Sequence, residues 1–473
     1  MSPAPVSRRE FLKITVGAGA GLVLGSYLSG CRSLNSTPFV EIKPGAFSPN
    51  VFVGIDPDNT VTIVVPRTEM GQGVRTALPM IVAEELDVDW ASVRVETAPA
   101  GDEYGNQETG GSTSVSTFWW PLRQAGATAR AMLVAAAAQQ WGAAPEDCTT
   151  EKGRVIHPET ARQLSYGELA AAAAQLPVPD TETISLKDPK NFRLVGQSIK
   201  RVDDPHIVDG GAIFGMDVKR PEMLYATIAR SPVFWGKPAG FDAAAAKAVE
   251  GVKDVVEIDN AVAVVAENTW AAIKGREALQ VTWDEGDMAG VSSDGIREQV
   301  LAQLPDGVAI GNAAAQAAGK LSVLYEIPNF AHASMEPMNC VAEARADRCE
   351  VWAPTQNPQQ ARSEILAPAD AGRLDRLLRP FTGWSKEAVK VNVPLIGGGF
   401  GRRLNVDYVT EAVQVSKAIG RPVQVVWTRE DDIQHDWYHP LSYHHVSANL
   451  EPLAEMEQKT FESPVPIPWG AWR

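Results

Sequence analysis

Four glycines set between a strand and a helix constrain this chain more than any other feature. Val389-Lys390-Val391-Asn392-Val393 alternates as a strand, and Gly397-Gly398-Gly399-Phe400-Gly401-Arg402-Arg403 follows as a loop. Tyr408 to Ile419 then has helical spacing, and Pro422 to Trp427 returns as a strand. That order predicts an α/β fold with a ligand held on backbone amides, because missing β-carbons let peptide N–H groups approach an anionic or oxo ligand. Arg402 and Arg403 would add charge or bidentate bonds. The loop is neither a dinucleotide fingerprint, since no register satisfies G-x-G-x-x-G, nor a Walker loop, since Gly-Lys-Ser/Thr is missing. Taken alone, it reads equally as a tight structural turn.

The first thirty residues read as an address. Ser7-Arg8-Arg9-Glu10-Phe11-Leu12-Lys13 precedes an apolar stretch from Ile14 to Leu28, which has the form of a twin-arginine export signal. The stretch is shorter than the ~20 residues that span a bilayer as a helix. It ends in Leu28-Ser29-Gly30-Cys31, which resembles a lipoprotein processing box and predicts lipidation at Cys31; a plain cleaved leader is the alternative. The expected location is periplasmic, free or anchored through Cys31. The twin-arginine route serves proteins that take up cofactors before export, so a cofactor is expected. Cys148, Cys340 and Cys349 show no C-x-x-C spacing and cannot supply a four-cysteine cluster, so any iron–sulfur centre is expected on a partner. The net charge of −15, from 43 basic and 58 acidic residues, weighs against a nucleic-acid partner.

At 473 residues the chain has room for about two to four domains. Val51 to Ile55 and Val61 to Val65, joined by Asp56-Pro57-Asp58-Asn59, predict a β-hairpin. Thr68-Glu69-Met70-Gly71-Gln72-Gly73 follows as a loop, then Thr76 to Leu86 as a helix. Gly110-Gly111-Ser112-Thr113-Ser114 leads through Trp119-Trp120-Pro121 into an Ala-rich helix ending near Trp141-Gly142, whose Arg123 and Arg130 predict a packed surface helix and no membrane span. Residues 177–195 read as a linker and 196–285 as a compact α/β module. Its predicted strands are Leu224 to Ala229, Val252 to Ile258, Ala261 to Val265 and Gln280 to Trp283, its helices Ala243 to Val249 and Thr269 to Ala278. Ala309 to Ala318 is a low-complexity connector.

The glycine loop has companions. His332-Ala333-Ser334-Met335-Glu336-Pro337 and Val351-Trp352-Ala353-Pro354-Thr355-Gln356-Asn357-Pro358 precede it, and Val425-Val426-Trp427-Thr428-Arg429-Glu430-Asp431 follows. In this order the residues resemble the molybdenum-pterin subunit of the xanthine dehydrogenase and aldehyde oxidase family. Arg201-Val202-Asp203, Gly210-Gly211-Ala212, Arg230-Ser231-Pro232 and Val264-Val265-Ala266-Glu267-Asn268-Thr269 look like that family's hammerhead-type domain. Glu69-Met70-Gly71-Gln72-Gly73 is similar to a second pterin-contacting box, placed here before the glycine loop. The permuted order, the leader and Gly399-Phe400-Gly401-Arg402-Arg403 point to the branch of isoquinoline 1-oxidoreductase large (beta) subunits.

The resemblance implies a multi-domain α/β (α+β) subunit: a leader over 1–30, pterin-binding regions over 45–176 and 320–473, and the hammerhead-type domain over 196–285. It implies molybdopterin with molybdenum, the cytosine dinucleotide form being one option, and [2Fe-2S] clusters on a small partner subunit. A c-type cytochrome is a candidate acceptor. By resemblance, Gln356 hydrogen-bonds the apical oxo group of molybdenum, while Gly398, Gly399, Phe400, Gly401 and Arg402 pack beside the metal. Gly71, Gln72 and Gly73, with Gly111, Ser112, Thr113 and Ser114, contact the pterin and its phosphates, although N-cap and turn chemistry would also explain the serine-rich segment. The implied reaction is hydroxylation of an N-heterocycle or aldehyde with oxygen from water. The family's general-base glutamate lies in a Gly-x-Gly-Glu segment that this sequence does not contain, so no catalytic residue is expected within it. A truncated or split subunit is therefore expected, with a non-catalytic exported lipoprotein as the alternative. Leu404 replaces the glutamate found after the loop in xanthine dehydrogenases, which weighs against purine recognition. His435, His439, His444 and His445 form a histidine cluster, read as a metal site or as a polar substrate-channel segment. The Glu336 carboxylate reads as structural.

Overall fold

The computed structural model describes residues 46–303, 320–366 and 384–449. The leader, Cys31 and the connector at 309–318 lie outside them.

The first body begins with strands β1 (Phe47–Asn50), β2 (Val53–Ile55), β3 (Val61–Val65) and β4 (Val93–Thr97). β1, β2 and β3 pair antiparallel, as the Asp-Pro-Asp-Asn turn predicts, and β4 joins β3 in parallel. A parallel neighbour needs a crossover, supplied by helix α1 (Val74–Leu86). Helix α2 (Ser114–Trp141) packs along α1. At their crossing a side chain on Gly126 would stand 2.6 Å from the Val82 carbonyl oxygen, so only glycine permits this approach. Buried Ala125, Ala129, Ala136 and Ala137 keep the rest of the seam narrow, and alanine is also the best helix former. α2 starts seven residues before Pro121, earlier than the sequence suggested. Pro121 and Thr117, whose carbonyl loses its helical partner, both sit on the exposed face where water replaces the bond.

Two expectations about this body change. Arg123 is not on a surface face: it is buried, donates to Glu85 Oε1 at 2.6 Å, and lies near the rings of Trp119, Trp120 and Phe192. Residues 187–195 are strapped down. The backbone N–H of Lys187 donates to Glu85 at 2.9 Å, while those of Arg193, Leu194 and Val195 all donate to Glu84 Oε2 at 2.8, 2.6 and 3.0 Å. The Lys187 ammonium adds a 2.8 Å bond to Glu84. A Pro-rich polar stretch reads as a linker because its partners, two helical glutamates about a hundred residues away, leave no local signal.

The second body is a seven-stranded sheet built from β5 (Leu224–Arg230), β6 (Val252–Ile258), β7 (Ala261–Ala266), β8 (Asn339–Ala344), β9 (Cys349–Trp352), β10 (Val389–Asn392) and β11 (Val423–Val426). Their spatial order is β6-β7-β5-β11-β8-β9-β10. The module expected over 196–285 is thus not closed on itself. β11 pairs in parallel with β5, Val423 opposite Leu224 and Val425 opposite Ala226, which makes one continuous sheet of segments two hundred residues apart. The central strands β7 and β11 are buried on both faces, as the middle of a covered sheet requires, whereas β6, β9 and β10 alternate buried apolar residues with half-exposed or exposed, mostly polar ones. Helix α3 (Thr269–Ala278) packs on β5 and β7, helix α4 (Asp407–Ile419) on β8, with Val409, Ala412 and Val413 in the core. Between β10 and α4 the chain must turn sharply, and there the glycine loop sits. No helix among the described residues is long and apolar enough to cross a membrane.

Candidate functional site

Three loops from distant parts of the chain meet at Gln356. The first, after β3, is shaped by Glu69. Its Oε1 accepts the N–H groups of Gly71 and Gly73 at 2.8 and 2.9 Å, and its Oε2 accepts that of Arg75 at 2.9 Å. Gly71 and Gly73 have φ of 105° and 85°, in the left-handed region that favours glycine. Gln72 closes the same turn, accepting from Met70 N and donating to Thr68 O, both at 2.8 Å. Expected to contact a ligand, its exposed carboxamide also holds its own loop together, with one amide hydrogen left over.

The second loop precedes α2. Thr109 Oγ1 accepts from Thr68 N at 2.9 Å, joining the first loop to the second. Gly111 and Ser112 follow with φ of 60° and 57°. Ser112 and Thr113 are exposed and Ser114 is half-buried. The Thr113 hydroxyl donates back to Gly110 O at 3.0 Å and does not cap α2, so the capping explanation of this segment fails. The first-turn amides of a 28-residue helix therefore have no side-chain cap.

The third is the glycine loop, anchored below by Glu336. That buried carboxylate accepts Gly397 N at 2.8 Å, Met216 N at 3.1 Å and Asn339 Nδ2 at 2.9 Å, which confirms a structural role. Gln356 sits at the centre, 2% exposed. Its Oε1 accepts Gly401 N at 3.0 Å, its Nε2 donates to Thr109 O at 2.8 Å, and its own carbonyl accepts Thr109 N at 2.8 Å. The side chain expected to reach a metal oxo group is the bolt between second and third loops, with its oxygen and one amide hydrogen spent on the protein. A β-carbon on Gly399 would lie 2.6 Å from Gln356 Oε1 and 2.7 Å from Met70 Sδ, so the first loop and the Gln356 bolt both press on that glycine.

The two arginines turn away from the loop's open side. Arg402 is fully buried and binds Asp407 through two bonds of 2.9 and 2.8 Å, with Asp436 within 3.0 Å of its Nε. Arg403 donates to the carbonyls of Gly398, Pro354 and Glu336 at 2.9, 3.1 and 2.6 Å. Arg402 as a direct ligand contact is thus corrected: the guanidinium is fully buried between two carboxylates, and its Nε, though without a hydrogen-bond partner, faces Asp436 and is closed to solvent. What the loop offers is backbone. The N–H groups of Gly398, Gly399 and Phe400 have no hydrogen-bond partner among the described residues. Phe400, with φ of 55° and 66% exposed, is held in a conformation that costs a non-glycine residue free energy.

The expected cluster of His435, His439, His444 and His445 is not brought together among the described side chains, and that of His445 lies outside them. His332 Nδ1 stands 2.9 Å from Asp436, and His439 packs against Phe330 at 4.4 Å and His332 at 4.1 Å. His435 lies in a separate pocket and His444 on an outlying strand. Among the described residues no three His, Cys, Asp or Glu side chains could hold a metal ion together.

Similarity to known proteins decides the family. Two family models, each described as a molybdopterin cofactor-binding domain, match residues 7–206 and 295–448. The chain belongs to the molybdopterin-binding xanthine dehydrogenase and aldehyde oxidase family. It is 33% identical to the beta subunit of isoquinoline 1-oxidoreductase from Brevundimonas diminuta, over 91% of this chain and 60% of that one. It is 30% identical to a membrane-bound aldehyde dehydrogenase (pyrroloquinoline-quinone) of Gluconacetobacter polyoxogenes, over 99% and 61%. To a subunit of nicotinate dehydrogenase from Pseudomonas putida it is 31% identical, over 86% and 34%. The chain thus spans about 60% or less of the length of these relatives.

The residues present fit the family's cofactor. An oxygen-rich, anionic group needs donors without a negative side chain among them. The three free amides at 398–400, the uncapped start of α2 and the exposed hydroxyls of Ser112 and Thr113 are such a set. The two buried carboxylates nearby, Glu69 and Glu336, are occupied by backbone donors of the loops they shape.

Proposed function

We propose that this chain acts within a molybdenum hydroxylase, as its molybdopterin-binding large subunit or the part of it seen here, oxidising an N-heterocycle or aldehyde with oxygen from water. The single observation that carries the reading is the convergence of three loops on Gln356 with the amides of Gly398, Gly399 and Phe400 left open. The cofactor, when bound, supplies the redox chemistry, accepting two electrons and activating water. This chain's residues bind and orient it. Free amides of the glycine loop would hydrogen-bond its oxygens, and the amides and hydroxyls at 111–114 would hold the phosphate end. Gln356 fixes the distance between these two donor sets and acts as a positioning residue. Phe400, exposed beside the amides, would wall off water on the substrate side.

The same reading includes the cytosine dinucleotide form of the pterin, a small [2Fe-2S] partner subunit and onward transfer to a c-type cytochrome. It also includes export by the twin-arginine route with a lipid at Cys31. The non-catalytic lipoprotein alternative is not favoured, since a chain without a cofactor has no use for three unpaired amides beside a strained, exposed phenylalanine. The test is turnover of the protein purified with its partners, using an artificial electron acceptor in ¹⁸O-labelled water. Label in the hydroxylated product is expected. Unlabelled product, or none from molybdenum-loaded protein across heterocycles and aldehydes, would overturn the proposal.

A further inference from the structure

Where the run of open amides ends, at Gly401, the imidazole of His332 comes up against the glycine loop. Its Nε2 lies 3.5 Å from where a Gly401 β-carbon would stand, one residue past the open amide of Phe400. The ring is fixed by its other contacts. The backbone N–H of His332 donates to Asp436 Oδ2, and ring Nδ1 stands 2.9 Å from the same oxygen. The ring packs against His439 at 4.1 Å; His439 stacks on Phe330 at 4.4 Å, and its backbone N–H donates to Phe330 O at 3.0 Å. The Asp436 side chain is 1% exposed and that of His332 9%. The next residue, Ala333, has φ of 45°, in the left-handed region. Such strain is retained where surrounding structure imposes it, commonly at functional sites.

This geometry decides which nitrogen carries the hydrogen. Asp436 is a buried carboxylate with Arg402 Nε 3.0 Å from its Oδ1, and a carboxylate beside a guanidinium accepts. The hydrogen is therefore on Nδ1, and the lone pair of the neutral ring is on Nε2. Nε2 has no hydrogen-bond partner among the described residues, and unlike Arg402 Nε it is not closed to solvent. The other charged and titratable groups around the pair are already matched. Arg402 is shared between Asp436 and Asp407, and Arg429 in helix α5 (Arg429–Gln434) holds Asp432 at 2.6 Å. Tyr438 donates to the carbonyls of Ile433 and Gln434, and His439 meets His332 only through its ring. A basic nitrogen, oriented by a buried carboxylate and set against an anion-binding loop, is the arrangement of a general base.

We propose that His332 Nε2 is a proton acceptor of this site, with Asp436 as the residue that positions it. The proposal rests on the functional reading only for the step from proton acceptor to turnover. Hydroxylation with water, RH + H2O → ROH + 2e⁻ + 2H⁺, delivers its two electrons to the molybdopterin cofactor and leaves two protons to be removed. One of them forms an N–H bond with the Nε2 lone pair, and the other passes to water. Asp436 balances the charge of the imidazolium, which then loses its proton to solvent at the open Nε2 edge and returns to the neutral ring. Because the neutral ring is the acceptor, turnover falls as pH falls through the titration of His332.

The test begins with NMR of the full purified protein, its histidine rings labelled with ¹⁵N, through a pH titration. His332 is expected with hydrogen on Nδ1 and a bare Nε2 that gains a proton as pH falls. Its signal is assigned by its loss in His332→Asn, whose amide keeps a donor for Asp436 and so keeps the fold. Asp436→Asn should move the titration to lower pH, since the neighbouring negative charge favours the imidazolium. In turnover with partners present, His332→Asn should lower kcat about a hundredfold at equal molybdenum content and leave KM within about twofold. It should also remove the acid limb that coincides with the NMR titration, which a merely structural role would leave in place. His444→Asn, an exposed position on the outlying strand, should change none of these. A His332 signal with hydrogen on Nε2, or a His332→Asn variant that keeps the parent's acid limb, overturns the proposal. The two readings fail separately. The tautomer and its titration belong to the folded chain with or without metal, and molybdenum-loaded His332→Asn protein that hydroxylates at the parent's rate overturns this inference alone.

Discussion

Two stretches of backbone in this chain use the same device toward different ends. At 193–195 three successive N–H groups converge on one oxygen of Glu84, the chain's own carboxylate. At 398–400 three successive N–H groups have no acceptor among the described residues. The first stretch is closed, since Lys187 adds charge and Arg123 with Lys187 N satisfies neighbouring Glu85. The second is braced from behind, by Glu336 on Gly397 and Gln356 on Gly401, so that the donors between them stay in place without being used. An array of amides that binds its own carboxylate is a fastener; one braced and left open is a receptor for an external anion.

This contrast can be broken or sharpened at several positions. The largest effect is expected from Gly399→Val, which drives a side chain into Gln356 Oε1 and Met70 Sδ, where the first loop and the Gln356 bolt meet the glycine loop. Molybdenum content should collapse while far-ultraviolet circular dichroism changes little; a variant retaining its metal would show that the loops do not form the cradle. Glu84→Ala should instead cost about 3–5 kcal/mol of stability in urea unfolding, because Lys187 and three amides lose their acceptor, yet the protein that remains folded should keep its molybdenum. Gln356→Ala removes two bonds between loops and should cost about 1–3 kcal/mol. Its turnover should fall more than its apparent substrate affinity, and an unchanged kcat would contradict a positioning role.

The smallest effect is a pH dependence. Burial alone would raise the Glu84 carboxyl, but the Lys187 ammonium and the three amides outweigh it, so its pKa lies below the ordinary 4.5. A group depressed in the folded state stabilises fully above its unfolded pKa, and that contribution is lost as pH falls through the folded value. Melting temperature should therefore decline below about pH 4.5 in the parent protein, and Glu84→Gln should flatten that decline.

The sequence was a good guide to elements and a poor one to who holds whom. Strands such as Val252–Ile258 and helices such as Thr269–Ala278 appear as expected because periodicity and caps are local: Asn268, for example, caps its helix through Ala271 N. The three loop boxes were recognisable as boxes. Gln356, Gln72 and Arg402 were expected to face a ligand, and each also bonds to the protein itself, because nothing local distinguishes a side chain that bridges loops from one that meets a cofactor. Thr109 and Glu336 shape the site from positions whose partners are distant in sequence, whereas Glu69, two residues before a glycine whose N–H it accepts, is a local hint.

The most direct test of the central claim is elemental analysis for molybdenum on the protein purified from its native host, with iron measured on the same sample. Molybdenum close to equimolar with the chain, and iron that leaves with a second polypeptide when the subunits are separated, is the predicted result. Folded protein without molybdenum would contradict the account, and the open amides at 398–400 would then need a different ligand.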